Sequence, residues 1–132
     1  MALALDLSWF CKSYVHIVGK MGIKPGFETR NFAYLVKKFK KWNLDFTRIS
    51  IAAPFNSIGF LMNPSKEECE RALTEVPECT VIAMSVLAAG YLQLPQAIEY
   101  IERSSNLKGV VVGVSKEKHA RETFRLLRKG LS

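Results

Sequence analysis

TVIAMSVLAAGYL, residues 80–92, begins as an apolar, β-branched run and ends in small residues and a glycine. A near-continuous apolar run is what a strand covered on both faces looks like, the usual state in a parallel sheet. Ala88, Ala89 and Gly90 are poor material for a core. LKGVVVGVSKEKHA, residues 107–120, repeats the pattern, with Gly113-Val114-Ser115 closing its own apolar run.

Working outward, four such runs are found, at residues 14–18, 47–52, 80–84 and 109–112, and their starts are 33, 33 and 29 residues apart. A helical pattern follows each. Phe32, Leu35, Val36, Phe39 and Trp42 fall on one face of a helix over 29–42, with lysines on the other. Ser65 and Glu68 form a capping-box pattern ahead of Cys69, Ala72, Leu73 and Val76. Pro95 suits the first turn of a third helix, which uses Ala97, Ile98 and Ile101. A fourth helix from Ser115 would bury Ala120, Phe124, Leu127 and Leu131, with Gly130 as its stop.

The expectation is α/β: one (βα)4 domain over residues 1–132, with 1–13 as an N-terminal extension. Eight βα units close a TIM barrel in about 250 residues. Half of one, with parallel strands, would expose two sheet edges and an apolar face, so completion by dimerisation is expected. The alternative is a flavodoxin-like open parallel sheet, and a third reading is a piece of a longer barrel.

Composition narrows the function classes. The net charge is +7, but KKFKK (37–41) and RLLRKG (125–130) sit on the polar sides of amphipathic helices. A solvated basic face argues against a nucleic-acid partner. No apolar run approaches the ~20 residues of a membrane span, so no membrane partner is expected. Three scattered cysteines without a CxxC pattern suggest reduced thiols in the cytoplasm.

Ligands of such folds bind at the carboxyl ends of the strands. Backbone N–H groups approach a phosphate closely only where side chains are small, and a following helix N-terminus adds its dipole. Leu87, Ala88 and Gly90, with Ser85, therefore pair with Gly113, Ser115 and Lys116 as a cradle for a small phosphorylated molecule. The loop expected after the first strand, 19–29, contributes Lys20 and Lys24, with Glu28 as a carboxylate; Asn56 comes from the loop after the second. Lys20, Lys24 and Asn56 are the substrate-side candidates, and Glu28 is a candidate general base. His16 is expected mid-strand. No nucleophile–base pair or metal cluster assembles from the sequence, so no catalytic residue or metal is assigned, and whether the chain is an enzyme stays open.

VIAMSVLAAG and GVVVGVSKEKHARETFRLL resemble the last two βα units of aldo-keto reductases, which are NADP(H)-dependent TIM-barrel enzymes. The resemblance covers roughly 80–127. It implies NADP as cofactor, with Ser85 and Leu87 on the pyrophosphate and Ser115 and Lys116 on the adenosine phosphate. Met84, Thr123 and Ala52-Ala53 depart from the family's nicotinamide- and adenine-reading residues. The family's catalytic residues belong to the other half of the barrel, so the resemblance implies a binding half rather than a complete reductase.

Overall fold

A computed structural model describes residues 8–113 and 117–131. Four parallel strands form one open sheet in the order β1-β2-β3-β4: Gly26–Glu28, Ser50–Pro54, Thr80–Met84 and Leu107–Val110. Five helices are described, α1 Ser8–Lys20, α2 Phe32–Lys41, α3 Lys66–Thr74, α4 Leu94–Arg103 and α5 Glu117–Leu131. The α/β class, the parallel sheet and the βα alternation follow the sequence expectation.

The first strand does not. Residues 14–18 lie inside α1, so the expected strand there is wrong, and α1 absorbs the described part of the N-terminal extension. Cys11 and Val15, one turn apart, are buried, while His16 and Ile17 are exposed, which is helical rather than strand periodicity. His16 is a surface residue of a helix and not a strand histidine. The true β1 is three residues, Gly26–Glu28, with only Phe27 turned to the core. β2 also starts later than expected, because Asp45 accepts from Thr47 N–H and caps a 3-10 turn over Phe46–Arg48.

The core lies on one side of the sheet. β2 and β3 alternate, giving Ile51, Ala53, Val81 and Ala83 to it, while Ser50, Ala52, Thr80, Ile82 and Met84 face the other way and are half-buried. Against the first set pack Phe32, Leu35, Val36 and Phe39 of α2, Cys69, Ala72 and Leu73 of α3, and Ala97, Tyr100 and Ile101 of α4. Ser65 caps α3 through Glu68 N–H at 3.1 Å, as its sequence predicted. The α3–α4 seam is tied by Tyr100 donating to Glu70 at 2.7 Å and Asn106 donating to the Leu73 carbonyl at 2.9 Å. Burial, then the Glu70 carboxylate beside it, push the Tyr100 hydroxyl pKa well above its usual value.

α5 joins through Leu127, and Phe124, expected in the core, is half exposed. Gly130 is not a stop, since the helix continues to Leu131. Instead it lets α5 approach α4: a Cβ there would stand 2.6 Å from Ile98 Cγ2. On an open helix surface Gly→Ala stabilises by about 1 kcal/mol. Here overpacking against a stiff β-branched side chain reverses the sign. Gly130→Ala is expected to cost about 1–3 kcal/mol in urea unfolding, with most of the loss recovered in Gly130→Ala/Ile98→Ala.

Cys11, Cys69 and Cys79 are free and buried. Burial raises the thiol pKa of Cys79 from 9.0 to about 11. The folded protein thus prefers the neutral thiol. Its contribution to stability is complete below the unfolded value of 9.0 and drains away as pH rises from there to about 11. Urea midpoints measured across that window should fall, and Cys79→Ala should flatten the slope.

Candidate site at the carboxyl ends of β3 and β4

β3 ends at Met84, and the chain then turns sharply. Ser85, Ala88, Ala89 and Gly90 have φ of 52°, 49°, 56° and 93°. Left-handed backbone costs an L-residue roughly 1–2 kcal/mol, so the two alanines are held there by their surroundings. The turn closes on itself through Ala88 N–H to the Ser85 carbonyl (3.0 Å), Gly90 N–H to Leu87 (3.0 Å) and Leu92 N–H to Leu87 (3.0 Å). Val86 and Ala88 are buried beneath it, and Ala89 and Gly90 are exposed. Just past the end of the neighbouring β4, Val111 N–H still pairs with the Ala83 carbonyl at 2.9 Å. Between the two ends lies a concavity of about 240 Å³ lined by residues 85–90 and 111–113.

Five of the seven residues expected to form the cradle, Ser85, Leu87, Ala88, Gly90 and Gly113, therefore meet around one hollow. Ser115 and Lys116 lie outside the described residues.

Lys20 and Lys24 are placed elsewhere. Because 14–18 is helix, the segment carrying them enters the first strand instead of leaving it. Lys24 Nζ donates to Thr80 Oγ1, at the first residue of β3, over 2.7 Å. That is the amino-terminal edge of the sheet, about 16 Å along the chain from Ser85. Their assignment to the substrate side is overturned by this geometry. Glu28, as the last residue of β1, stays at the carboxyl end and is exposed.

Asn56 reaches the site but as framework. It is 1 % exposed. Its Nδ2 donates to the Phe60 carbonyl (2.9 Å) and the Ser85 carbonyl (3.2 Å), and its Oδ1 accepts from Phe60 N–H (2.8 Å). Both amide hydrogens are consumed, so the side chain has no donor left for a ligand. It ties the loop after β2 to the turn after β3, a role its polar type and loop position could not reveal.

A larger hollow lies elsewhere among the described residues. A groove of about 670 Å³ runs between α2 and α3, lined in part by Tyr34, Lys37, Lys40, Arg71 and Glu75. Lys40 and Glu75 pair across it at 3.5 Å. It lies on the helix layer, away from the strand ends, and mixes both signs of charge. Among the described residues no three metal-ligating side chains come together, and no helix is long and apolar enough to cross a membrane. Compared with models of protein families, with curated protein sequences and with solved structures, the chain matches none.

If Asn56 braces the turn, Asn56→Ala should cost about 2–4 kcal/mol, the sum of three buried hydrogen bonds and their stranded partners. Amide exchange should accelerate selectively at residues 85–90, which distinguishes a lost brace from uniform destabilisation.

Proposed function

We propose that the chain is half of a TIM barrel that holds the phosphate of a small phosphorylated molecule at the carboxyl ends of β3 and β4. The hollow between residues 85–90 and 111–113 carries this reading. It sits where ligands of parallel α/β folds bind, and it is bounded by small residues and backbone.

The half-barrel form draws support from topology. Strand order 1-2-3-4 has no reversal, whereas a flavodoxin-like sheet runs 2-1-3-4-5 with helices on both faces. The core here lies on one face only. The other face, with Ala52, Ile82 and Met84, is where a barrel would have its interior. A hollow of about 240 Å³ is below the usual range of about 300–1,000 Å³ for whole-ligand pockets. It fits a phosphate and its first neighbours. NADP, implied by the reductase resemblance, would be held there by one phosphate group, with the rest of the dinucleotide outside it. We place the chain in the cytoplasm on the strength of its three free cysteines.

A second reading, an inert assembly piece whose partner contributes any chemistry, draws on the apolar flank of α1. Phe10, Ile17 and Met21 are 54 %, 59 % and 67 % exposed there. Titration with inorganic phosphate and with NADP(H), followed by amide chemical shifts, separates the two. Saturable shifts at Ala89, Gly90 and Gly113 at millimolar ligand, abolished by Ala89→Glu, are expected for the cradle. No shift at millimolar ligand sinks it and leaves the assembly piece.

A further inference from the structure

We propose that α1 is a displaceable guard over the outer edge of β1, and that the surface it guards receives the β4 edge of a second copy of this chain. The inference rests on the half-barrel reading. Its starting point is the direction of the backbone groups of β1. Ser50 N–H pairs with the Pro25 carbonyl and Thr29 N–H with the Ala52 carbonyl, each at 3.0 Å. In a parallel ladder with this register, the N–H and carbonyl of Gly26 point away from β2, to the open side. Both are occupied by one group. Tyr14 Oη accepts from Gly26 N–H at 3.3 Å and donates to the Gly26 carbonyl at 3.0 Å.

A free strand edge templates pairing with another chain, and proteins blunt such edges with short strands, prolines and covering elements. β1 has two of these: it is only three residues long, and the Tyr14 hydroxyl covers the outward backbone groups of Gly26, its first residue. The guard is lightly held. α1 buries Cys11 and Val15 and sets the Tyr14 ring against Phe27 at 5.3 Å between centroids.

Among the described residues, large apolar side chains are exposed at both sheet edges. Phe10, Ile17 and Met21, on or just after α1, lie on the β1 side, and Val111, just past the end of β4, lies on the other. A parallel ring closes only when a β4 edge meets a β1 edge, which makes the β4 side of another copy the matching occupant. In such a ring the helix after β4 packs over the junction with the next β1. α1 stands at that place, so closure requires it to swing aside, exchanging its contacts for the partner's. The electrostatics oppose the encounter. Lys12 and Lys20 on α1 lie on this side, with only Glu28 of β1 to oppose them, and each copy carries +7. Salt should therefore strengthen association, the reverse of its effect on binding to a polyanion.

The test is sedimentation equilibrium of the full chain, at low and high salt, with amide exchange at Gly26. Tyr14→Phe removes both hydrogen bonds and keeps the ring against Phe27. It should speed Gly26 exchange in the monomer and tighten the dimer about tenfold. Adding Glu28→Pro, which removes the next outward N–H, should return the dimer to wild-type strength. In the wild-type protein, the Tyr14–Phe27 nuclear Overhauser contact should fade as dimer forms; its persistence in a dimer overturns the guard. So does a dimer indifferent to Tyr14→Phe, or one that strengthens but ignores Glu28→Pro, which would place the pairing elsewhere, as in β4 on β4. Those outcomes leave the half-barrel standing. Monomers in every form at high salt overturn the guard and the two-copy barrel together.

Discussion

The pairing of β2 with β3 sets the rest of the molecule. Five residues of each run side by side, from Ser50 beside Thr80 to Pro54 beside Met84. That register puts Ala53 next to Ala83 and Ile51 next to Val81 on the core face. The alanine layer lets α2, α3 and α4 come close over the carboxyl half of the strands, and the branched layer fills the wider space beneath. The same register ends both strands together. Phe55 N–H pairs with the Met84 carbonyl at 3.1 Å, and the next residues, Asn56 and Ser85, are then near enough to bond. The candidate site is thus a consequence of where two central strands stop.

Much of this was legible in the sequence, and the failure that displaced candidate site residues traces to one segment. Residues 80–84 read correctly because Thr-Val-Ile is a strong strand signal between turn-forming neighbours. The stripes of α2 and α3 read correctly because Phe32, Leu35, Val36 and Phe39, or Cys69, Ala72 and Leu73, satisfy only a helical period. YVHIV, residues 14–18, is β-branched and apolar, and local propensity favours a strand. What overrides it is longer-range: Cys11, Tyr14, Val15 and Val18 share one helix side against the edge of the sheet. The real β1 gave almost no signal, since two of its three residues, Gly26 and Glu28, face solvent. That single misreading reversed the direction of the loop carrying Lys20 and Lys24 and moved two candidate ligand groups to the wrong end of the sheet.

The candidate site was legible in its composition but not in its conformation. Smallness at Ala88, Ala89 and Gly90 is visible in the sequence. Left-handed φ at Ser85 and at two alanines is not, because those residue types favour the opposite hand and are held there by the turn's own backbone hydrogen bonds, the burial of Val86 and Ala88 and the Asn56 brace. Asn56 illustrates a general difficulty. A loop asparagine that shapes a turn and one that greets a ligand look alike in sequence; only a count of its hydrogen bonds separates them.

The distribution of charge limits how such a hollow could work. Each of the five helices carries lysine or arginine in its last turn: Lys20, Lys38 with Lys40 and Lys41, Arg71, Arg103, and Arg128 with Lys129. Helices that return from carboxyl to amino ends of parallel strands all finish at the same edge, and cations there complement their dipoles. Eight of the chain's nineteen lysines and arginines are therefore placed at the amino-terminal end of the sheet, opposite the hollow. An anion at residues 85–90 and 113 would be met by backbone N–H groups and by the dipole of a following helix, with little help from side-chain charge among the described residues. Binding of that kind is short-ranged. It would select by fit to the bound group and gain little from long-range steering, so its affinity would depend far less on ionic strength than on the left-handed turn keeping its shape.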